Sequence, residues 1–428
     1  MFKLFIRMAA ILTLAGMMAA GFASAGDQTN SCISCHSELD EGEEGTPTEQ
    51  FTHDVHNREG LGCAGCHGGD PTSDDMDIAM SEEKGFIGAP DATEIPNMCS
   101  KCHSDPTFMK KFNPGLSTDQ YAKYLTSVHG KLNRSGDTKV AECASCHSAH
   151  SIRTANDPKS TIYAPTIPHT CGHCHSNAEY MAEYGIPTNQ EEEYSRSVHG
   201  IALLEKKDLG APACNDCHGN HGAVPPEVGS IDRVCGLCHA NNMNDFEQST
   251  HADYFAMTDE PACELCHSNH LVKSPTSSML LGDNAVCLQC HDMDDGTGGM
   301  EAAKDMGNDL DSLSNLIAAV NNHLDEADQK GLYVNQALFT LKDARQKMFL
   351  AKTAIHTFEA KVVDSITTEG DTLAIQASNM ADDLLKDYTF RRQGLAVSVL
   401  LLCLLSLFLW LKARQLEQRK KSTTARTE

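Results

Sequence analysis

This chain has little with which to build an ordinary hydrophobic core. Aromatic residues make up 6% of its 428 residues, and there is a single tryptophan, Trp410. Basic residues are outnumbered, 34 against 59 acidic, for a formal net charge of −25. A surface this acidic argues against nucleic acid, whose binding is carried by Lys and Arg on phosphate. It suits solubility and docking of a basic partner. Between residues 26 and 295 sustained hydrophobic periodicity is also missing. The stretch is dotted with Gly, Pro, Asn, Asp and Ser, and side chains alone would not bury enough surface there to offset the entropy of ordering it.

Cysteine and histidine are abundant instead: nineteen Cys and 21 His. Eighteen of the cysteines fall in nine copies of Cys-x-x-Cys-His. The pairs are Cys32 and Cys35, Cys63 and Cys66, Cys99 and Cys102, Cys143 and Cys146, Cys171 and Cys174, Cys214 and Cys217, Cys235 and Cys238, Cys263 and Cys266, and Cys287 and Cys290. The histidines that close them are His36, His67, His103, His147, His175, His218, His239, His267 and His291. This is the attachment pattern of c-type haem, in which two thiols add to the porphyrin vinyl groups and the adjacent His reaches the iron. Structural zinc does not require a His after the second Cys, and a disulfide framework would not impose a two-residue gap nine times. Nine covalent haems are therefore expected, and they would supply the core that the side chains do not. Cys403 is left over, with no His neighbour and no haem role.

The motifs are grouped. Three repeats open on a His in a short polar context, at Ser127-Val128-His129-Gly130, Ser197-Val198-His199-Gly200 and Ser249-Thr250-His251. A motif extended by a second His three positions on follows each, giving His150, His221 and His270. A plainer motif comes next, at Cys171, Cys235 and Cys287. A degenerate repeat precedes these: His53 and His56, then Cys63 and Cys99, with Gly68-Gly69-Asp70 where the extra His would fall. The motif at Cys32 stands alone in front. Such a pattern suggests duplication of a haem-pair module. Recurrence marks His129, His199, His251, His150, His221 and His270 as distal iron ligands, with His56 as the counterpart of His129. A His three residues after a proximal ligand cannot easily reach the other face of the same haem, so it is expected to ligate a neighbouring haem and stitch repeats together. His53, His169, His173 and His323 do not recur in this way.

From about Glu301 the periodicity becomes helical. Leu310, Leu313, Ile317, Val320, Leu324 and Ala327 form one stripe, with Gly331 as a stop. A second helix carrying Val334, Leu338, Leu341, Met348, Ile355 and Val362 is expected to end near 367–370, and a third to start near Thr372. His356, among apolar neighbours, is a further distal-ligand candidate. Residues 394–411 are an uncharged apolar run, about 27 Å long as a helix and so close to the thickness of a bilayer core. The organisation expected is a signal peptide over 1–25, a nine-haem domain over 26–295, a helical segment over 296–390, a transmembrane helix over 391–411 and a basic tail over 412–428. The signal reading rests on Lys3, Arg7 and Ala23-Ser24-Ala25. The excess of Lys and Arg after the span places the tail in the cytoplasm and the bulk of the chain on the periplasmic side of the inner membrane. The fold class is mainly α with extensive loops.

The repeated Val-His-Gly followed by Cys-x-x-Cys-His-x-x-His resembles the periplasmic multihaem cytochromes c. These include the class III tetrahaem cytochromes, the NapC-type quinol oxidases, and the hydroxylamine oxidoreductase and pentahaem nitrite reductase lineage. The resemblance implies electron transfer between a quinol-oxidising membrane complex and other cytochromes or redox partners. An oxidoreductase of small nitrogen or sulfur compounds, with one open haem, is the alternative. The pentahaem reductases carry Lys in place of the motif His at the catalytic haem, and none of the nine motifs here does. NapC-type proteins have an N-terminal anchor, whereas here the anchor is C-terminal.

Overall fold

The computed structural model describes residues 30–39, 46–224, 231–258, 260–292 and 296–424. The expected signal peptide and the last residues of the basic tail lie outside them. The protein is mostly helical, at 66%, and the described residues contain no strand. The chain forms two compact units. One runs to residue 226 and includes Asn269–Lys273, and the other takes 227–268 and the residues from 274 on.

In the first unit the helices are short, and six of them carry the motifs. They include Ser31–Leu39, Ala64–His67, Ile95–His103, Cys143–His147, Ile167–His175 and Cys214–His218. One helical turn sets a Cys and the Cys three residues later on one face, with the His beside them. Pro96 and Pro168, both buried, sit in the first turn of the two longest later helices, where a missing N–H costs nothing. Segments of adjacent repeats are joined by backbone bonds: Val55 N to Ile152 O at 2.9 Å, Val128 N to Ala223 O at 3.2 Å, and Val198 N to Val272 O at 2.8 Å.

The second unit contains three long helices, α1 (Gly299–Gln329), α2 (Asn335–Ala354) and α3 (Ala360–Thr424). The expected stripe on α1 is buried at Leu310, Leu313, Val320, Leu324 and Ala327, and Gly331 follows the helix with φ +75°. Ala337, Ala344 and Ala351 of α2 recur every seven residues and are buried, as are Ala374, Ala377 and Ala381 of α3. Small side chains at this spacing let helices approach closely along a shared seam.

The second helix ends earlier than its periodicity suggests. It stops at Ala354, a 3₁₀ turn covers Ile355–Thr357, and Phe358 takes φ +57°. Gly370 is not a stop but lies inside α3, where a Cβ would come within 2.6 Å of Leu313 Cδ2. The glycine is there for helix contact, which sequence periodicity does not register. The α3 helix continues without a break through the apolar run. Its 65 residues correspond to about 97 Å. The side chains of the run are exposed, and the helix is long and apolar enough to cross a membrane, so it is compatible with a membrane anchor.

Candidate metal centres

Each repeat begins with the same local build. Ser127 Oγ donates to Tyr124 O at 2.6 Å and accepts from Gly130 N at 2.8 Å, and Ser197 does the same with Tyr194 O and Gly200 N at 2.6 and 3.0 Å. The serine caps the short helix that carries the His. A Cβ on Gly130 or Gly200 would lie 1.9 Å from the tyrosine carbonyl, so only Gly fits after the His. Tyr124 and Tyr194 are tied by their hydroxyls to Ala141 O and Pro212 O, just before the next motif. Phe246 and Ser249 repeat the pattern before His251, and Phe51 and Asp54 occupy it before His56. An aromatic-x-x-Ser/Asp-x-His spacing was thus readable in the sequence and marks Tyr124, Tyr194 and Asp54 as supporting residues.

A second device follows the extended motifs. The residue after the motif His is left-handed in all four: Gly68 (φ 71°, ψ −158°), Ser148 (64°, 173°), Gly219 (83°, 160°) and Ser268 (59°, 179°). This region of backbone space is nearly reserved for Gly. The turn carries the chain away from its own motif, and where the third position is a His, at His150, His221 and His270, it faces another one.

The imidazoles meet in pairs. His56 faces His103 with ring centroids 5.9 Å apart, His129 faces His175 at 6.1 Å, and His251 faces His291 at 6.0 Å. Each joins the opening His of a repeat to the plainer motif of that repeat. His67 faces His150 at 6.1 Å, His147 faces His221 at 6.0 Å, and His218 faces His270 at 5.9 Å. Each of these joins an extended motif to the extra His of the next repeat. His267, of the last extended motif, faces His356 at 6.1 Å. A metal–imidazole bond of about 2.0 Å, with the nitrogen roughly 1.1 Å from the ring centre, separates two rings on opposite sides of one metal by about 6.2 Å. The seven pairs therefore fit one iron each. The ring planes fall into two sets, 5–26° for the four extended motifs and 61–90° for the three plain ones.

The ring nitrogens are prepared for this. His67 Nδ1 donates to Gly88 O at 2.7 Å, His218 Nδ1 to Val224 O at 3.2 Å and His356 Nδ1 to Thr353 O at 2.8 Å. In each, the proton is held on Nδ1 and Nε2 is left to bind metal. Burial pushes the His147 pKa down to about 4 and lowers those of His103, His129, His150, His175, His221, His251 and His267. The neutral imidazole is the ligating form. His56 differs. Its Nδ1 donates to buried Asp54 at 2.9 Å, and the same carboxylate accepts from His56 N and Ile152 N at 2.8 and 2.7 Å. Burial works to raise the Asp54 pKa, but those hydrogen bonds outweigh it and hold the group below its ordinary value. Phe358 stacks on His251 at 3.8 Å, so the turn after α2 offers one ligand, His356, and steadies another.

The cysteine sulfurs, thiols here, stand in for thioethers. Thiols of successive motifs lie together: Cys99 hydrogen-bonds with Cys143, and Cys171 with Cys214. The Cys171 pKa is raised by that bond and by burial. The second cysteine of a motif is often placed differently from the first. The first cysteine is half-buried in all nine, whereas of the second cysteines Cys35, Cys66, Cys146, Cys217, Cys238 and Cys290 are exposed and Cys102, Cys174 and Cys266 are half-buried. The cause lies in the helical turn. A residue three positions on is rotated by roughly 60° about the axis, so a short helix that turns its first sulfur inward carries the second toward the surface. Each of Cys35, Cys102, Cys217, Cys238 and Cys290 still stands one turn from its partner sulfur, and it is this spacing, not enclosure, that supports a thioether role for them.

No protein-family description matches the chain, and no solved structure does. The chain is similar to a polyhaem cytochrome. Over 235 residues it is 23% identical to the C-type polyheme cytochrome OmcC of Geobacter sulfurreducens, an alignment covering 49% of this chain and 28% of that protein. The similarity supports a multihaem c-type cytochrome and suggests electron transfer. Among the proposed distal ligands, His199 shares the Ser-Val-His-Gly build of His129. Among the unrepeated histidines, His323 lies 3.4 Å from Asp382 and His169 is 82% exposed.

Proposed function

We propose that this protein is a membrane-anchored, nine-haem cytochrome c. It would carry electrons between a quinol-oxidising membrane complex and other periplasmic or extracellular redox proteins. The seven imidazole pairs at single-metal spacing carry the reading. Haem supplies one-electron redox chemistry, and the protein supplies ligands, burial and spacing. The two cysteines of each motif fix the porphyrin edge, and the motif His binds one side of the iron. His56, His129, His150, His199, His221, His251, His270 and His356 would supply a second imidazole to eight of the irons. Imidazole on both sides excludes substrate, and packed, Nδ1-anchored rings hold their geometry when the charge on the metal changes. The neighbouring thiols Cys99 and Cys143, and Cys171 and Cys214, would hold successive haems close together. The apolar run of α3 is the anchor. The Lys and Arg residues that follow it favour the periplasmic face of the inner membrane for the haem-bearing part, and the acidic surface suits a basic redox partner.

The reading predicts about nine covalent haems per chain, retained in acidified acetone, and rapid reduction by quinol in membranes holding a quinol-oxidising complex. His221→Ala should turn one low-spin haem, the one at His147, high-spin in electron paramagnetic resonance. A colourless protein, or pigment lost to acidified acetone, would end the proposal.

A further inference from the structure

Seven motif histidines face an imidazole, the repeat rule assigns His199 to the eighth, His239, and one motif is left out. Each extended motif receives its facing imidazole from the position three residues beyond the motif His of the next repeat: His150 for His67, His221 for His147, His270 for His218. For the solitary Cys32 motif the next repeat is the one at Cys63, and the residue three beyond His67 is Asp70. The backbone is still built for the task. Gly68 takes the same left-handed turn as Ser148, Gly219 and Ser268. Pro71 O then accepts from Ser31 N at 2.9 Å, so the segment lies against the helix bearing Cys32 and His36.

What the segment delivers is a carboxylate that is already engaged. Asp70 Oδ1 accepts from Thr72 Oγ1 at 2.6 Å and from Thr72 N at 3.1 Å, and Lys84 Nζ is 3.8 Å from Oδ2. Residues 76–88, part of a spacer longer than in any other repeat, hold the turn in place. Asp70 N donates to Ala79 O at 2.9 Å and Gly69 N to Lys84 O at 3.1 Å. His36 itself is exposed. Every one of the 21 histidines lies among the described residues, and among them no imidazole faces His36 at the spacing of the seven pairs. His53, the unrepeated histidine nearest in sequence, is exposed and outside the pattern.

We propose that the iron at Cys32, Cys35 and His36 has an exchangeable coordination position that takes small external ligands of the cyanide, nitrite and carbon monoxide class. This rests on the haem reading above. It makes the N-terminal centre differ in kind from the other eight, as a place where a small molecule can meet the electron path. The chemistry is that of an iron that would be held by the single imidazole of His36, since the repeat rule supplies Asp70 where the second imidazole would stand.

The test uses the full-length, haem-loaded protein in detergent. Electron paramagnetic resonance of the oxidised form should show high-spin iron amounting to about one haem in nine. Cyanide titration should convert that fraction to low spin with a stoichiometry near one per chain, and carbon monoxide should bind a similar fraction of the reduced haem. Asp70→His should restore the missing ligand, removing the high-spin signal and the cyanide site together. His53→Ala should leave both unchanged. Nine low-spin haems with no cyanide binding would overturn the inference while leaving the electron-transfer reading intact. So would a new high-spin signal in His53→Ala, because it would show His53 to be the sixth ligand. Absence of covalent haem would instead remove the reading on which the inference rests.

Discussion

The first compact unit and the three long helices reach order by opposite routes. Among the described residues of the first unit, six apolar side chains are buried: Met109, Tyr124, Val140, Met181, Leu203 and Ala213. The helices α1 to α3, over Met300–Ala381, bury eighteen. They form two continuous clusters, one around Leu324, Leu341 and Ala377 and one around Leu310, Ala351 and Val363. The helices can be held by side-chain burial at about 25 cal/mol per Å². The first unit cannot, and what recurs there is sets of capped histidines and paired thiols. Where one region is specified by an apolar stripe, the other is specified by ligand spacing. Folding of the first unit is then linked to attachment of its cofactor, as in small metal-dependent domains.

That contrast is broken most directly by withholding haem. Expressed without attachment, the protein should lose hydrogen-exchange protection over the short motif helices while retaining it in α1, α2 and the start of α3. Circular dichroism should keep the signal of the long helices and little else. Equal protection in both regions would show that the short helices have a side-chain core of their own.

Next in size is a cut in the helical core. Leu324 is fully buried between the helices, and Leu324→Ala should cost about 2–5 kcal/mol by transfer and cavity formation. Denaturant unfolding followed by helicity would measure it, and the haem absorption spectrum should be unaltered. A change in spectrum at native conditions would show that the helices and ligands are less independent than their packing suggests.

How much of this was legible in the sequence follows the same division. The nine motifs and the histidines His129, His150, His199, His221, His251 and His270, with His56 as their counterpart, could be chosen by recurrence, because ligand chemistry demands fixed residue types at fixed intervals, whereas His356 stood out only by its apolar neighbours. The α1 stripe was legible for an equally simple reason, one buried face at helical period. The break at 355–359 was not. Ile355 and Val362 continue the apolar period across it, and only a left-handed Phe358 marks it. Gly370 misleads for the converse reason, being small to admit Leu313 rather than to end a helix. Asp54 is legible as a cap from the aromatic-x-x-Ser/Asp-x-His spacing, but its bond to the Ile152 backbone, almost a hundred residues away, is not.

Asp54 offers a sharper comparison within the first unit. His56 and His129 open equivalent repeats, but Asp54 stands where Ser127 does, and its buried carboxylate accepts the His56 Nδ1 proton. An anionic acceptor makes the imidazole a stronger donor to iron and favours the oxidised metal. Asp54→Ser should therefore raise the potential of one haem, that of His103, by roughly 60 mV, a tenfold change for one electron. Spectroelectrochemical titration would resolve it as one component moving upward. No shift would mean the carboxylate only caps its helix, a role serine fills equally well.

The smallest effect concerns the left-handed turns. Ser148 and Ser268 adopt the conformation that Gly68 and Gly219 adopt at the equivalent places. A side chain in that region is strained by roughly 1–3 kcal/mol, whereas glycine adopts it freely but gives up more entropy when it is ordered, by about 0.4–1 kcal/mol. The two effects oppose, so Ser148→Gly should be neutral or stabilising by about 1 kcal/mol. Ser148→Val, β-branched, should be destabilising. The turn exists to deliver His150 to His67, so the valine variant should also perturb the low-spin signal of that one centre, while the glycine variant leaves it alone. Thermal unfolding and electron paramagnetic resonance on the two variants would separate strain retained for positioning from strain without a purpose.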